Sequence, residues 1–236
     1  MTRTNKHGQP IGEPVEWSGA AAPGPVRLAG RYVTLEPVSA HHTDDLFAAL
    51  CHPADAALWT YRADDQPADV GALRQRIDEW QRSADSITFA LVPRDTARTA
   101  GVASLMRIDP EQGTIEVGAV LYARSLQRTR AATEVIRLMA GYVFDDIGYR
   151  RFEWKLDSLN QQSAAAARRF GFTEEGTFRN AVVYKGRNRD TLWFAMIDVD
   201  WRSLRGAYDT WLHPENFDEA GQQRKRLSDL TAALGR

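Results

Sequence analysis

Apolar and polar positions alternate along this chain in a way that divides it into short strands and amphipathic helices. Over residues 26–38, Tyr32, Thr34 and Glu36 alternate with Val33, Leu35 and Pro37, which predicts a strand, and residues 44–50 open a short helix. Val70, Leu73, Ile77 and Trp80 fall on one helical stripe. Strands at 87–93, 101–108 and 114–122 follow. The connector Asp109-Pro110-Glu111-Gln112-Gly113 has tight-turn residues, so an antiparallel meander is the economical reading. Val135, Leu138, Met139, Tyr142 and Val143 mark a helix over 131–147 that Gly148 stops. Beyond it the pattern predicts a strand at 151–156, an alanine-rich helix at 161–170, and a hairpin of 178–185 with 191–197 around Gly186-Arg187-Asn188-Arg189. A last amphipathic helix is predicted over 215–234 through Phe217, Leu227, Leu230 and Leu234.

Strands interleaved with helices on an antiparallel meander imply an α/β or α+β sheet domain. Residues 1–25 form an expected extended arm, since Pro10, Pro14, Pro23 and Pro25 deny regular structure, while Trp17 predicts that the arm packs on the domain. The expected organisation is arm 1–25, sheet domain 26–200 and C-terminal helical extension 201–236.

Composition narrows the function classes. At 236 residues one substantial core is the best expectation. Thirty Lys and Arg against 31 Asp and Glu give a formal charge of −1, with no global attraction to nucleic acid or to an anionic membrane. The single cysteine, Cys51, cannot form an intramolecular disulfide, and no Cys/His spacing resembles a zinc site. No apolar run approaches a spanning helix and no signal core follows the polar N-terminus, so a soluble, cytoplasmic protein without a metal is expected. His41 and His42 beside Asp44 and Asp45 read as helix-start residues before they read as ligands.

The strand, loop and helix over 114–147 carry the most chemistry. A helix that opens directly after a strand offers unpaired N–H groups and the positive end of its dipole, which suits a pyrophosphate, and Arg128 and Arg130 add charged donors. An ordinary connection with solvated arginines fits the local sequence as well.

Three separated segments, in this order, resemble GNAT acetyltransferases, particularly the branch that includes the Rim-type ribosomal-protein acetyltransferases. Gln127-Arg128-Thr129-Arg130-Ala131-Ala132-Thr133-Glu134 resembles the family's acyl-CoA loop, with Arg128 and Arg130 where glycines are usual. Asn160-Gln161-Gln162-Ser163 followed by Arg169-Phe170-Gly171-Phe172 resembles its second motif. Residues 186–193 resemble its last strand pair, and Gly30-Arg31-Tyr32-Val33-Thr34-Leu35 its first strand. The resemblance spans about residues 26–200. It implies a mixed, mostly antiparallel sheet flanked by helices, with acetyl-CoA as cosubstrate and a primary amine as acceptor, either the α-amine of a protein or peptide or a small-molecule amine. The implied coenzyme contacts are Val120 and Leu121 at a strand end, Gln127, Arg128, Thr129, Arg130, Ala131, Ala132 and Thr133 in the loop, and Asn160. Asn160 is also well suited to capping its helix, and both roles are compatible. Gly118 sits where strands would splay to admit the pantetheine arm.

Acetyl transfer needs a neutral amine, a route for its proton and help for the departing thiolate. At pH 7, deprotonating a lysine costs roughly 4.6 kcal/mol and an α-amine only about 1 kcal/mol, which favours a protein or peptide α-amine or another amine of low pKa. Glu116 is the leading candidate base, by direct or water-relayed transfer, and an ordinary exposed strand carboxylate is the alternative. Glu153 and Asp157 stand in reserve. The tyrosine acid common in the family is Ala167 here, which leaves Ser163 as the candidate thiolate partner, against a plain helix-start role. Trp59-Thr60-Tyr61-Arg62 reads as a satellite hydrophobic cluster before an acceptor pocket. A non-catalytic acyl-CoA-binding domain is the main rival function and an RNA or ribosome-surface module the lesser one. A monomer and a homodimer are both compatible with the sequence.

Overall fold

The computed structural model describes residues 3–234. Its elements, in chain order, are β1 (Leu28–Ala29), β2 (Val33–Pro37), α1 (Thr43–Leu50), α2 (Val70–Arg82), β3 (Ser86–Pro93), β4 (Gly101–Asp109), β5 (Thr114–Tyr122), α3 (Arg130–Gly141), β6 (Arg151–Asp157), α4 (Gln161–Arg169), β7 (Thr173–Tyr184), β8 (Arg187–Ile197), α5 (Asp198–Leu212) and α6 (Leu227–Ala232). The strands form one mixed sheet in the order β1-β2-β3-β4-β5-β6-β8-β7. Every neighbouring pair is antiparallel except β5 and β6, and α3 is the crossover that their parallel pairing requires.

That parallel contact is short. It joins Thr114, Ile115 and Glu116 to Arg151, Phe152 and Glu153 and then ends, so the C-terminal halves of β5 and β6 part and leave backbone groups unpaired between them. On β6, Phe152 and Trp154 pack with Phe144, Phe170 and Phe172 on one face of the sheet. Alternation therefore sends Glu153, Lys155 and Asp157 to the other face.

The predicted strand at 26–38 is broken into β1 and β2 at Gly30 and Arg31. The buried carboxylate of Glu134, on α3, accepts N–H bonds from Arg31, Tyr32 and Val33 at 2.9, 2.6 and 3.0 Å, which ties this turn to the first half of α3. A Cβ at residue 30 would collide with that carboxylate, which is why glycine stands there.

The C-terminal expectation needs correcting. A helix over 215–234 is absent; the long helix is α5, with Trp201, Leu204, Tyr208 and Trp211 buried along it, and only α6 is helical further on. Pro214 starts a 3-10 turn, and buried Asn216 closes the loop after it. Its amide donates to the carbonyls of Trp211 and Lys225, and its carbonyl accepts from the Lys225 N–H. Phe217 therefore sits in a loop stapled by side-chain hydrogen bonds, which an apolar count cannot distinguish from a helical stripe. The hairpin turn is also tighter than predicted. Lys185 and Gly186 make it alone, both at positive φ (49° and 68°), so Arg187 to Arg189 belong to β8.

The arm lies against the domain. Trp17 donates to the Glu111 carbonyl at 2.6 Å and covers Gly113, where any Cβ would strike its ring, and Arg150 stacks over it.

Candidate active site

The helix start expected to bind an anion is built at the end of β5. Thr129 caps α3, its hydroxyl accepting from the Ala132 N–H at 3.1 Å and donating to the Leu126 carbonyl at 2.7 Å. The N–H groups of Arg130 and Ala131, in the first turn, have no preceding helical carbonyl to bond. Arg128 adopts φ +62°, the left-handed conformation that a glycine would take there, so the backbone shape of a glycine loop is kept while a guanidinium is added. Gln127 braces the loop by donating to the Tyr122 carbonyl at 3.0 Å. Ala131, Ala132 and Thr133 are buried in the first turns of α3.

This loop lines a cleft of about 970 Å³ whose wall includes Arg31, Arg94, Arg128, Arg130 and Arg169, with Asp95 as its one acidic residue. Arg169 is the feature that sequence reasoning missed. It stands at the C-terminal end of α4, donates to Thr133 Oγ1 at 3.1 Å and stacks on Trp211 and Phe170. Burial pushes its pKa down. Among the described residues none of its contacts is a carboxylate, so the cleft holds a half-buried cation able to pair with an anion that enters it. The opposite wall is the loop after α5. Phe217 and Tyr32 sandwich the Arg130 guanidinium at 4.3 and 5.3 Å, and Gly221, Gln222 and Gln223 complete the rim.

On β5, Ala119 takes φ +51° at a register shift against β4, and Val120 and Leu121 follow this bulge beyond the point where β6 has left the strand. Arg62 donates to the Ala119 carbonyl at 2.6 Å and is itself held by Asp64, so the segment between α1 and α2 fixes the bulge. Trp59 of that segment is core, its indole donating to the Leu50 carbonyl. Tyr61 donates to the Leu159 carbonyl at 3.2 Å.

Glu116 is not an exposed strand carboxylate. It is 2% exposed, pairs with Arg107 Nη1 at 2.8 Å and Lys155 Nζ at 3.1 Å, and begins a chain of ion pairs running through Lys155, Glu153 and Arg151 to Glu175. Lys155 also sits 3.8 Å above the Trp193 ring. Burial pushes the Glu116 pKa up, and Arg107 and Lys155 pull against it without cancelling the rise. The Lys155 contact lacks hydrogen-bond alignment, so Oε2 keeps an unfilled acceptor position. Both reserve carboxylates are occupied: Glu153 by Lys155 and Arg151, and Asp157 by the Tyr184 hydroxyl at 2.7 Å.

Asn160 caps α4, its side-chain carbonyl accepting from the Ser163 N–H at 3.1 Å, which leaves its amide N–H groups to donate elsewhere. Ser163 Oγ accepts from the Trp154 indole at 3.0 Å and still has its own proton to give. Burial pushes the Cys51 thiol up to about 11, far from a nucleophilic thiolate at neutral pH. Glu36, His41 and His42 lie together, but His42 Nδ1 accepts the Ser39 N–H, so in the neutral ring Nε2 carries the proton and has no lone pair for an ion.

A parted pair of strands, a capped helix start at their mouth and a buried carboxylate on the same strand make up the candidate site. The GNAT acetyltransferase domain model matches residues 33–173, and the chain belongs to that family. It is 42% identical to a GCN5-related N-acetyltransferase from Brucella melitensis, covering 92% of this chain and 99% of that one with a TM-score of 0.90. It is also 25% identical over 136 residues to the uncharacterized N-acetyltransferase p20 of Bacillus licheniformis, covering 56% of this chain and 76% of that protein. A Bacillus subtilis relative named for ribosomal N-acetylation, YdaF, is 23% identical over 61% of this chain and 78% of its own. The protein is thus an acyltransferase of the GNAT family. No helix among the described residues is long and apolar enough to cross a membrane.

Proposed function

We propose that the protein transfers the acetyl group of acetyl-CoA to a primary amine by direct attack while both substrates are bound, with Glu116 receiving the amine's proton directly or through water. The observation that carries this reading is the placement of one buried carboxylate with a raised pKa on β5, the strand that leads into the arginine-lined loop. Acetyl-CoA supplies its acyl group as a thioester: the amine nitrogen forms the amide bond as the C–S bond breaks, and the thiolate that leaves takes up a proton.

The residues present fit that coenzyme. Its phosphates meet the Arg130 and Ala131 N–H groups with Arg128 and Arg130 beside them, and a phosphate supplies the anion that Arg169 lacks. The backbone of Val120 and Leu121, on the edge of β5 that β6 has left, and the amide of Asn160 suit the pantetheine arm. Trp154 orients Ser163 to donate its proton toward the departing sulfur. The high thiol pKa of Cys51 argues against a covalent acetyl-cysteine route. An α-amine, or another amine of low pKa, is the acceptor best matched to a single weak base.

The rival reading is coenzyme binding without turnover. Ala167 in place of the family's tyrosine and the two ion pairs on Glu116 favour it. Free thiol released in step with an acetylated amine excludes the rival, and saturable acetyl-CoA binding without thiol release on a broad amine panel excludes the proposal.

A further inference from the structure

Arg107 faces Glu116 only because β4 is irregular beside it. Met106 pairs with Glu116 and Asp109 with Thr114, so Arg107 and Ile108 of β4 stand against Ile115 alone. In an unbroken strand Arg107 would follow Ala103 and Leu105, both fully buried, into the apolar face of the sheet. The extra residue undoes that alternation. Arg107 takes φ +48°, and its guanidinium comes back to Glu116 Oε1 at 2.8 Å. A left-handed conformation is unfavourable for arginine and free of strain for glycine, so the outlier points to a use for the side chain it carries.

The carboxylate itself is laid along its strand. Its Oε1 lies over Gly118, 3.0 Å from where a Cβ would stand, and Met106 fills the rest of that space. Glu116 thus leans toward Ala119, the other left-handed residue of this strand pair, where Ala119 and Val120 stand against Ala103 alone. Arg107 occupies Oε1, whereas the Lys155 ammonium, 3.1 Å from Oε2, leaves that oxygen without an aligned donor. The two cations also differ in exposure. The Lys155 side chain is 9% exposed and that of Arg107 56%, so the buried carboxylate approaches water on the Arg107 side.

We propose that Arg107 is a positioning residue for proton transfer, holding Glu116 ionised with Oε1 occupied and Oε2 free to take the proton. This rests on the reading of Glu116 as the base. In each turnover the amine nitrogen gives a proton to Oε2, directly or through water, and the carboxylic acid then passes it to solvent. A guanidinium on Oε1 favours the ionised form that the next amine needs and keeps the free oxygen turned the same way. The other charges about Glu116 do not duplicate it. On β6, Lys155 is shared with Glu153, which Arg151 also holds. Arg62, from the segment between α1 and α2, is engaged by the Ala119 carbonyl and Asp64. β3 carries no ionisable side chain, and the β8 residues level with Lys155 and Glu153 are the neutral Trp193 and Ala195.

Two measurements on the full chain test this, and the first needs no acceptor. Glu116 is titrated by carbon-13 NMR of the glutamate carboxyls, its signal assigned with Glu116→Gln. The second is the pH profile of thiol release with acetyl-CoA and alaninamide as the amine probe. Losing a cation beside a carboxylate favours its protonated form. In Arg107→Gln the NMR midpoint and the rising limb should therefore both move to higher pH by about one pH unit, and turnover at a pH on the wild-type limb should fall about tenfold. Arg107→Gly keeps the bulge and discards the side chain, so it should shift as far. Arg107→Lys keeps the charge and should restore most of the wild-type position. A midpoint and limb that stay in place in Arg107→Gln and Arg107→Gly overturn the proposal, as does an equal loss at every pH, which would make Arg107 a brace for the bulge alone. A midpoint that moves while turnover is absent or ignores Glu116→Gln sinks the base reading, and with it any part for Arg107 in proton transfer.

Discussion

Replacing Arg169 with Met separates a coenzyme ligand from a structural residue. Arg169 has one neutral hydrogen-bond partner, Thr133, and two aromatic contacts, while burial opposes its charge. Met keeps most of the packing against Trp211 and Phe170 and removes a cation that no carboxylate among the described residues pairs with. The apo protein should therefore lose no stability and gain about 1 kcal/mol, or roughly 2–4 °C in melting temperature for a chain of this size. Acetyl-CoA binding should suffer, because a charge-assisted contact to phosphate contributes about 1.5–3 kcal/mol, equivalent to roughly 10–100-fold in Kd. Thermal melts with and without acetyl-CoA read both effects. At a ligand concentration of about 100 times the wild-type Kd, stabilisation is about 2.7 kcal/mol, and a tenfold weaker Kd lowers it to about 1.4 kcal/mol. The ligand-induced shift should thus fall by about half or more while the apo melt holds or rises. An apo melt that drops together with an unchanged ligand shift would mean that Arg169 braces α4 and never touches the coenzyme.

Other outcomes follow from the same structure. Thiol release by the wild type should rise with pH on a limb set by a carboxyl above the ordinary glutamate value, and that limb should vanish in Glu116→Gln. In stability the sign reverses: because the folded pKa is raised, Glu116 adds stability that is full below its unfolded pKa and is lost as pH rises through the folded value, so the wild type should lose ground to Glu116→Gln over that interval in denaturant titrations. Glu134→Gln turns an amide toward one of three backbone donors and should cost about 2–4 kcal/mol in urea unfolding; a change within about 0.5 kcal/mol would contradict the role given to that carboxylate. Phe217→Ala should weaken acetyl-CoA binding by releasing Arg130 from its aromatic sandwich, measurable by calorimetry, and an unchanged affinity would show that Tyr32 suffices. Cys51 should resist alkylation in the native protein and react only on unfolding, as mass spectrometry can follow.

Much of the fold was legible because its signals are local. The strand predicted at 114–122 is β5 to the residue, and the helices at 44–50 and 161–170 differ from α1 and α4 by one residue at an end. Those segments have clear apolar periods and clear stops. The C-terminal region was misread because Phe217 lies in a loop whose shape is set by Asn216 side-chain bonds. Trp201, Leu204, Tyr208 and Trp211 of α5 form a helical stripe that the sequence itself carries. At the site, the helix start and the position of Glu116 on β5 could be read from order and alternation. Arg169 could not, because its lack of a carboxylate partner depends on α4 meeting α3 and α5, and such meetings leave no trace in spacing. Nor could the burial of Glu116, since an acidic residue on a strand reads as solvated until its neighbours are known.

The central claim is tested most directly by measuring acetyl-CoA-dependent thiol release and acetyl-CoA affinity side by side for the wild type and Glu116→Gln. The account predicts that turnover falls by about 10²- to 10⁴-fold in the variant while coenzyme affinity stays within about twofold. Turnover that survives the substitution at its full rate would contradict it.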